Sequence, residues 1–307
     1  MLLDSASMYF RAFFGVPDRF HGADGTPTNA VRGFVDAIAR CITEFSPDEL
    51  IACWDDDWRP EFRVARIPTY KEHRVATPAV TADEADEEEV PDALQVQEPV
   101  IRQVLAAVGI ARVGAPGFEA DDVIAQFTRC HDGPVDIVSG DRDLFQLVED
   151  SRQVRVIYTG KGMNKLQFAT DGWLRDKYGV TGAGYADMSL MRGDASDGLP
   201  GVPGIGEKTA AELVNRYGDL TGIMTAARSE DPSLRPTLRR KLLDAAGYIE
   251  AAGPVVRLDH QVDVPPVDAT LPATAADPPT LVDLCDRYDL DGPVNRLLAA
   301  LGTSTVT

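Results

Sequence analysis

The chain has 307 residues, enough for one main domain with a substantial core and a smaller second domain. Hydrophobic residues make up 44% and charged residues 26% of it, which is typical of a globular protein and excludes a disordered one. No apolar stretch approaches the roughly 18 residues that cross a bilayer, and Asp4 and Arg11 interrupt the apolar start where a signal peptide would be unbroken. We therefore expect no membrane segment and a cytoplasmic location.

The formal net charge is −19, which over the whole chain argues against a nucleic-acid partner. The acids are concentrated, however. Residues 83–92 hold seven acids and no base, which predicts a solvated, mobile segment. Nine further acids belong to short motifs, and the rest of the chain is nearly neutral with its bases grouped. The four cysteines are widely spaced and fit neither a zinc site nor a disulfide framework.

In chain order, apolar runs alternate with helical patterns, which predicts an α/β fold with a largely parallel central sheet flanked by helices. A long insertion, about residues 57–98, is basic and aromatic first and acidic later. Loops of this length within compact domains are usually functional or disordered. The predicted elements are strand Met1–Leu3, helix Asn29–Phe45, strand Leu50–Trp54, helix Gln95–Val108, helix Glu119–Cys130, and strands Val135–Val138 and Val154–Tyr158.

Near Gly184 the pattern changes to short helices separated by glycine and proline turns. We interpret residues 1–183 as the α/β domain and residues 184–253 as a smaller helical domain. Residues 254–307 form a Pro- and Ala-rich connection followed by a last helical segment that ends near Leu301.

Acidic residues directly follow three predicted strands: Asp4 the first, Asp55 the second, and Asp141 and Asp143 the third. The carboxyl ends of parallel strands line the crevice where open α/β sheets bind ligands, so these carboxylates should lie close together. Two further motifs, FEADD at a helix start and GDASD on a turn, can face the same crevice. Their acids are Glu119, Asp121, Asp122, Asp194 and Asp197.

Each of these acids alone has a simpler explanation, because carboxylates commonly cap helices and terminate turns. Nine converging carboxylates without matching bases would repel one another severely unless cations were bound. Oxygen ligands favour Mg²⁺, Mn²⁺ or Ca²⁺, the lack of histidine and cysteine in these motifs disfavours zinc, and no EF-hand pattern is present. The motifs therefore predict two divalent ions about 4 Å apart, an arrangement that hydrolyses phosphodiesters.

The stretch GLPGVPGIGEKTA, residues 198–210, predicts a phosphate-binding turn. A helix that starts near Gly206 presents free N–H groups at its positive end, and Gly201 and Gly204 let the backbone approach a phosphate that Lys208 can contact. This helix-hairpin-helix pattern holds a sugar-phosphate backbone without reading bases. An ordinary connection between two helices is the alternative.

The insertion contributes Lys71 and Arg74 in the stretch PTYKEHR, three residues apart and thus on one helical face. A solvated basic face explains them equally well when they are considered alone. Beside a cation site that must attract a polyanion, substrate binding is favoured.

Together the motifs MLLDSASMYFRAFF, DGTPTNAVRGF, PTYKEHR, FEADD, IVSGDRDLFQLV and MRGDASDGLPGVPGIGEKTA resemble the structure-specific 5′ nuclease (flap endonuclease) family. The likeness is greatest to the bacterial 5′→3′ exonuclease domains that are fused to DNA polymerase I. It spans nearly the whole chain, and because no polymerase region follows, we expect the stand-alone bacterial form. The resemblance implies a PIN-like nuclease core, a helical arch formed by the insertion, and a helix-hairpin-helix domain.

The implied activity is 5′→3′ exonuclease and flap endonuclease cleavage of DNA at flaps, nicks or ends, including RNA-primed ends, during replication and repair. The implied cofactors are two Mg²⁺ or Mn²⁺ ions with room for a third, and the protein would be a monomer that associates with replication and repair proteins. The first ion would be held by Asp4, Asp55, Glu119 and Asp121, and the second by Asp122, Asp141, Asp143, Asp194 and Asp197.

The resemblance also implies how DNA is held. Lys71 and Arg74 would contact the scissile phosphate beneath the arch, and Tyr70 would stack against a base. The hairpin would grip the duplex, with a potassium ion on the backbone carbonyls from Val202 to Ile205.

Two departures from the family pattern bear on these expectations. Gly198 stands where asparagine is usual, and the acidic run from Asp83 lengthens the arch and would repel DNA. Two other functions compete with the nuclease. A non-catalytic helix-hairpin-helix DNA-binding protein would leave the carboxylates unexplained, and a phosphatase of the haloacid dehalogenase type would need a D-x-D pair where the chain has Asp4, Ser5 and Ala6.

Overall fold

The computed structural model describes residues 1–78, 86–258 and 261–302. Its strands are β1 (Leu2–Asp4), β2 (Ile51–Cys53), β3 (Val75–Thr77), β4 (Glu87–Glu88), β5 (Ala111–Val113), β6 (Val135–Ser139), β7 (Val154–Tyr158) and β8 (Gln167–Ala169). Its helices are α1 (Ser5–Gly15), α2 (Asn29–Phe45), α3 (Glu61–Val64), α4 (Asp92–Gln95), α5 (Glu98–Val108), α6 (Ala120–Cys130), α7 (Asp171–Tyr178), α8 (Gly182–Arg192), α9 (Glu207–Tyr217), α10 (Leu220–Arg228), α11 (Pro236–Asp244), α12 (Ala246–Val256), α13 (Pro278–Tyr288) and α14 (Asp291–Ala300).

Within the described residues, a central sheet of six strands has the order β5-β2-β1-β6-β7-β8. All neighbouring pairs are parallel except β7 and β8, which are antiparallel. The prediction of a largely parallel sheet flanked by helices is confirmed, and all four predicted strands are present. The sequence did not reveal β5 and β8, because Ala111–Val113 and Gln167–Ala169 are not continuous apolar runs as the starts of β1 and β2 are.

Both faces of the sheet are covered, which explains why its central strands are largely apolar. Alternate residues of β1 enter different cores: Leu2 packs in one cluster with Ile137, and Leu3 packs in another with Phe34. Helix α2 has the predicted bounds because its buried side chains recur at helical spacing along one face.

The C-terminal residues return to the α/β core. Helices α13 and α14 pack against α5 and α2, and Leu281 and Leu297 are fully buried in the same cluster as Phe34. A helical region from α8 to α12 lies in sequence between the α/β core and α13. The predicted domain boundary at residues 183/184 falls just inside α8. No helix in the described ranges is long and apolar enough to cross a membrane.

The insertion differs from the predicted helical arch. Its described residues form the four-residue helices α3 and α4, a 3₁₀ turn over Glu72–Arg74, and a hairpin in which β3 pairs antiparallel with β4. Pro60 and Pro68 limit helix length, and Lys71 has a left-handed φ of 49°. Lys71 and Arg74 therefore do not share an α-helical face.

The acidic run is also less free than predicted. Asp86 forms an ion pair with Arg59, and its carbonyl accepts a hydrogen bond from Trp58 Nε1 at 3.1 Å. Glu88 pairs with Val75 in the hairpin. Residues 83–85 lie outside the described residues, so the predicted mobility stays a prediction for them.

The insertion packs against the turn that contains the GDASD motif. The backbone N–H of Lys71 donates to the carbonyl of Asp197 at 3.0 Å, and Thr69 Oγ1 donates to the carbonyl of Gly198 at 2.9 Å. Gly198 has a φ of +70°, and a Cβ atom placed there would lie 2.0 Å from the Thr69 carbonyl oxygen. Glycine at position 198 thus allows the insertion and the turn to touch.

Replacing Gly198 by alanine should lower the free energy of unfolding by about 2–4 kcal/mol, because it adds a positive-φ penalty to a backbone clash. Urea denaturation of Gly198→Ala and wild type measures this. Gly247→Ala is the control, since its Cβ would meet no atom within 4 Å, and it should be neutral or slightly stabilising. Equal midpoints for Gly198→Ala and wild type would refute the role of this contact.

Candidate active site at the carboxyl edge of the sheet

Seven of the nine predicted carboxylates line two adjoining cavities at the carboxyl ends of the strands. The larger cavity, about 430 Å³, is lined by Asp4, Asp55, Glu119, Asp121 and Asp141. The smaller is lined by Glu119, Asp121, Asp141, Asp143 and Asp197. The tertiary structure therefore brings together side chains from β1, β2, α6, β6 and the turn after α8, as the strand-end pattern predicts.

Asp4 ends β1 and also caps α1. One oxygen accepts from the backbone N–H of Ser7 at 3.1 Å, and the other accepts from Ser139 Oγ at 2.5 Å. The pKa of Asp4 is raised to about 7, chiefly by burial and also by repulsion from Asp55 and Asp141, against the lowering effect of the Ser139 hydrogen bond. Ser139 was not predicted as a site residue, although its position at the end of β6, two residues before Asp141, is a signal.

Asp55 accepts a hydrogen bond of 2.6 Å from the backbone N–H of Ala120, which joins the end of β2 to the start of α6. Burial raises its pKa to about 6, even though Lys71 acts in the opposite direction. The simpler explanation, capping, thus holds for Asp4, whereas Asp55 makes a long-range bond to the start of α6, whose N-cap residue is Glu119; both acids line the larger cavity.

The remaining acids carry negative charge that the protein compensates poorly. Desolvation raises the pKa of Asp121 and Asp143, and in both cases the next largest cause is repulsion from Asp141. Desolvation also raises the pKa of Asp197, against the attraction of Lys71. These shifts indicate a cluster that favours bound cations or protons over bare carboxylates.

Lys71 supplies the nearest internal cation. Its ammonium is 2.5 Å from Glu119 Oε2 and lines both cavities, with 11% of the side chain exposed. Burial alone would raise the pKa of Glu119, but Lys71 and Arg63 outweigh it and hold that pKa below its usual range. The ion pair places Lys71 beside the carboxylate cluster.

Tyr70 does not have the predicted base-stacking position. Its ring is 4% exposed, and its hydroxyl donates to Glu119 Oε1 at 2.8 Å. A buried ring cannot stack against a nucleobase, so we correct this prediction: Tyr70 orients Glu119 instead. Arg74 is more exposed, and it donates to the carbonyl of Ser196 at 2.9 Å and approaches Asp197 at 3.3 Å.

Asp122 does not line either cavity, and its assignment as a metal ligand stays a prediction. Both of its oxygens accept from Arg63, at 2.7 and 2.8 Å, and one also accepts from the backbone N–H of Glu119 at 3.2 Å. Arg63 is 1% exposed and donates to the carbonyl of Val255 as well. Local sequence patterns do not identify Arg63 as a site residue, since only its place in the basic start of the insertion distinguishes it.

Asp194 is also held by protein donors rather than directed into either cavity. Its Oδ1 accepts from the backbone N–H of Ser196 at 2.9 Å, and its Oδ2 lies 3.4 Å from both Arg142 and Arg192. Asp122 and Asp194 thus have protein partners and do not line either cavity, and the assignment of all nine acids as metal ligands stays a prediction.

The glycine-rich turn forms as predicted between α8 and α9. Gly206 precedes α9, Lys208 is exposed in its first turn, and the side chains of Val202 and Ile205 are buried. Gly201 donates to the hydroxyl of Tyr248 at 3.1 Å.

Two of the carbonyls to which the resemblance assigned a potassium ion already accept hydrogen bonds in the described chain. The carbonyl of Val202 accepts from the backbone N–H of Ile205 at 3.0 Å, and that of Gly204 accepts from Lys241 Nζ at 2.8 Å. The ammonium group of Lys241 thus already contacts one of these carbonyl groups.

The donor set fits hard divalent cations, because seven carboxylates face shared cavities and histidine and cysteine ligands are absent from the set. Within residues 1–78, 86–258 and 261–302, no group of three or more acidic, histidine or cysteine side chains is arranged closely enough to hold a metal ion as it stands.

Family models match consecutive parts of the chain: a 5′-3′ exonuclease N-terminal resolvase-like domain over residues 1–179 and a 5′-3′ exonuclease C-terminal SAM fold over residues 180–279. The chain belongs to the 5′-3′ exonuclease family. A 5′-3′ exonuclease of Streptomyces coelicolor is 54% identical over 98% of this chain and 99% of its own length. The resemblance to the stand-alone bacterial form is thereby confirmed, and the chain is a nuclease.

More distant relatives agree with this assignment. DNA polymerase I of Mycobacterium bovis is 39% identical over 73% of this chain but only 24% of its own length. The D15 flap endonuclease of bacteriophage T5, solved with DNA and metal ions, superimposes with a TM-score of 0.58 at 17% identity over 99% of both chains. At that identity, the likeness shows that the two chains share a fold.

Removing the Arg63 guanidinium should leave Asp122 buried without its partner. We expect Arg63→Met to lower the free energy of unfolding by about 3–5 kcal/mol, and the double variant Arg63→Met/Asp122→Leu to recover part of that loss. Chemical denaturation measures both. Arg296→Met, which breaks the exposed pair with Asp36, is the control and should change stability by less than about 1 kcal/mol. Equal losses at the two sites would contradict the buried-pair account.

Proposed function

We propose that this family member is a structure-specific 5′ nuclease that cuts DNA at 5′ flaps, nicks or ends with the aid of two divalent cations, Mg²⁺ or Mn²⁺. The observation that carries the proposal is the set of seven carboxylates in two adjoining cavities, with Lys71 shared between them. The presence of DNA and metal ions in the T5 flap endonuclease structure supports it.

Bound ions would supply a hydroxide nucleophile and neutralise the charge that develops at phosphorus. In this proposal Asp4, Asp55, Glu119 and Asp121 hold one ion at the larger cavity. The second ion belongs to the smaller cavity, where the further acids are Asp141, Asp143 and Asp197.

The chain's cations would hold the substrate. Lys71 lies at the junction of the two cavities, and Arg74 lines the larger one, so a phosphate entering there meets both. Lys208 and the free N–H groups at the start of α9 offer a second phosphate site in the glycine-rich turn. A substrate with a duplex and an unpaired 5′ strand can occupy both places, which is why we propose flaps and nicks as substrates.

Cleavage of a 5′-labelled flap and a nicked duplex in Mg²⁺, in Mn²⁺ and in EDTA tests the nuclease. We expect products only with a divalent ion. Asp4→Asn and Asp141→Asn should lower the rate by at least about a hundredfold, since each removes a charged metal ligand, while flap binding in EDTA stays within a few fold. The exposed Asp132→Asn is the control and should cut like wild type. Wild-type rates in the two site variants would defeat the shared-metal site.

The repulsion within the cluster gives a prediction that does not depend on cleavage. Asp121→Asn removes one of several mutually repelling carboxylates, so in EDTA it should raise the melting temperature by about 2–4 °C. Mg²⁺ should raise the melting temperature of wild type and raise that of Asp121→Asn less. Calorimetry or dye-based melting measures this, with Asp132→Asn alongside. A lower melting temperature for Asp121→Asn in EDTA would show that the cluster is not electrostatically strained.

A further inference from the structure

A series of ionic contacts joins the carboxylate cluster to the glycine-rich turn, residues 198–210. Arg192 ends α8, and 14% of its side chain is exposed. One of its terminal nitrogens is 3.2 Å from Glu207 Oε2, and the other is 3.4 Å from Asp194 Oδ2 and donates to Ser189 Oγ at 2.9 Å. A single guanidinium therefore contacts the turn that carries Asp197 and the first residue of α9.

The series continues into the α/β core. Arg142 lies between Asp141 and Asp143 at the carboxyl end of β6, and its guanidinium is 3.4 Å from the same oxygen of Asp194. Arg142, Asp194, Arg192 and Glu207 thus form a continuous series across the junction of the two matched domains.

Backbone hydrogen bonds hold part of this path, including the reciprocal pair between Asp194 and Leu199 and the bond from Val202 to the carbonyl of Met191. Between the end of α8 and the start of α9, the described chain has one 3₁₀ turn of three residues, and the rest is glycine- and proline-rich loop. Arg192 adds to these bonds a side-chain contact that joins Asp194 directly to the first residue of α9.

We propose that Arg192 is a positioning residue that sets which phosphodiester reaches the carboxylate cluster when the duplex is held at the glycine-rich turn. This inference rests on the proposed function, because it assumes that both places contact one DNA substrate. Loss of the guanidinium lets α9 shift relative to Asp194, and a shift of about 1 Å at a reacting group costs about a hundredfold in rate.

A purely local role is the competing explanation. An exposed ion pair in the first turn of a helix contributes about 0–1 kcal/mol and leaves cleavage unchanged. Arg192 and Asp194 are largely enclosed, with 14% and 10% of their side chains exposed, which favours a fixed geometry. The position of the cut separates the two explanations, because a local stabilising pair does not move it.

The test compares Arg192→Met, which removes the charge but keeps an apolar stem, with Arg192→Lys, which keeps the charge. Arg239→Met is the matched control, since it breaks an ion pair with Glu230 in the same helical region but away from the turn. Single-turnover cleavage of a labelled flap in Mg²⁺, resolved to the nucleotide, gives both the rate and the cut position. Flap affinity is measured in EDTA.

For Arg192→Met we expect a rate about ten- to a hundredfold lower, cuts spread over neighbouring phosphodiesters, and a flap affinity within about twofold of wild type. Arg192→Lys should recover part of the rate and narrow the spread, and Arg239→Met should match wild type. A single wild-type cut position in Arg192→Met, or a loss of affinity as large as the loss of rate, would overturn the proposal.

Hydroxyl-radical footprinting of the bound flap in excess EDTA keeps this test separate from the nuclease proposal. If wild type binds flaps but cuts none with any metal, the proposed function fails, and the footprint alone then decides the role of Arg192. A protected region that shifts or broadens in Arg192→Met supports positioning, whereas identical footprints refute it.

Discussion

Mutual repulsion among carboxylates is the constraint on which this structure depends. A parallel sheet ends its strands at one edge, so Asp4, Asp55 and Asp141 are brought together by the same topology that builds the core. Burial then makes their charge harder to tolerate, as the raised pKa values of Asp4 and Asp55 show. The surrounding hydrogen bonds orient these carboxylates while leaving much of their negative charge without a cationic partner.

Three devices do this in the described chain. Backbone N–H groups and a hydroxyl orient oxygens without adding charge, as Ser139 does for Asp4 and Ala120 for Asp55. Lys71 supplies one ammonium at the junction of the two cavities. Arginines pair with Asp122 and Asp194, and Arg63 and Arg74 also approach Glu119 and Asp197, whereas Asp4, Asp121, Asp141 and Asp143 have no arginine partner within the described residues. This division explains why acids from the same short motif have different partners.

Arginines of the insertion and of the helical region connect separate elements of the structure. Arg63 ties α3 to α6 and to the end of α12, and Arg192 ties the end of α8 to the start of α9. Through these contacts each arginine joins separate elements of the chain. The hairpin of β3 and β4 brings Glu88 and Glu89 to the same cavity, beside Lys71 and Arg74.

Local patterns in the sequence suffice to predict four strands of the sheet, the helix α2, the strand-end acids and the glycine-rich turn, because each depends on local period, on turn chemistry or on the rule that parallel strands end at one edge. The sequence could not separate Asp121 from Asp122, since adjacent helical residues point about 100° apart and only the packing of α6 against Arg63 shows which one faces the cavity. It likewise placed Tyr70 and the insertion wrongly, because a long-range hydrogen bond to Glu119 and a hairpin pairing decide their conformation. Local pattern thus determines which elements form, whereas the direction in which each side chain points is decided by contacts between elements far apart in the chain.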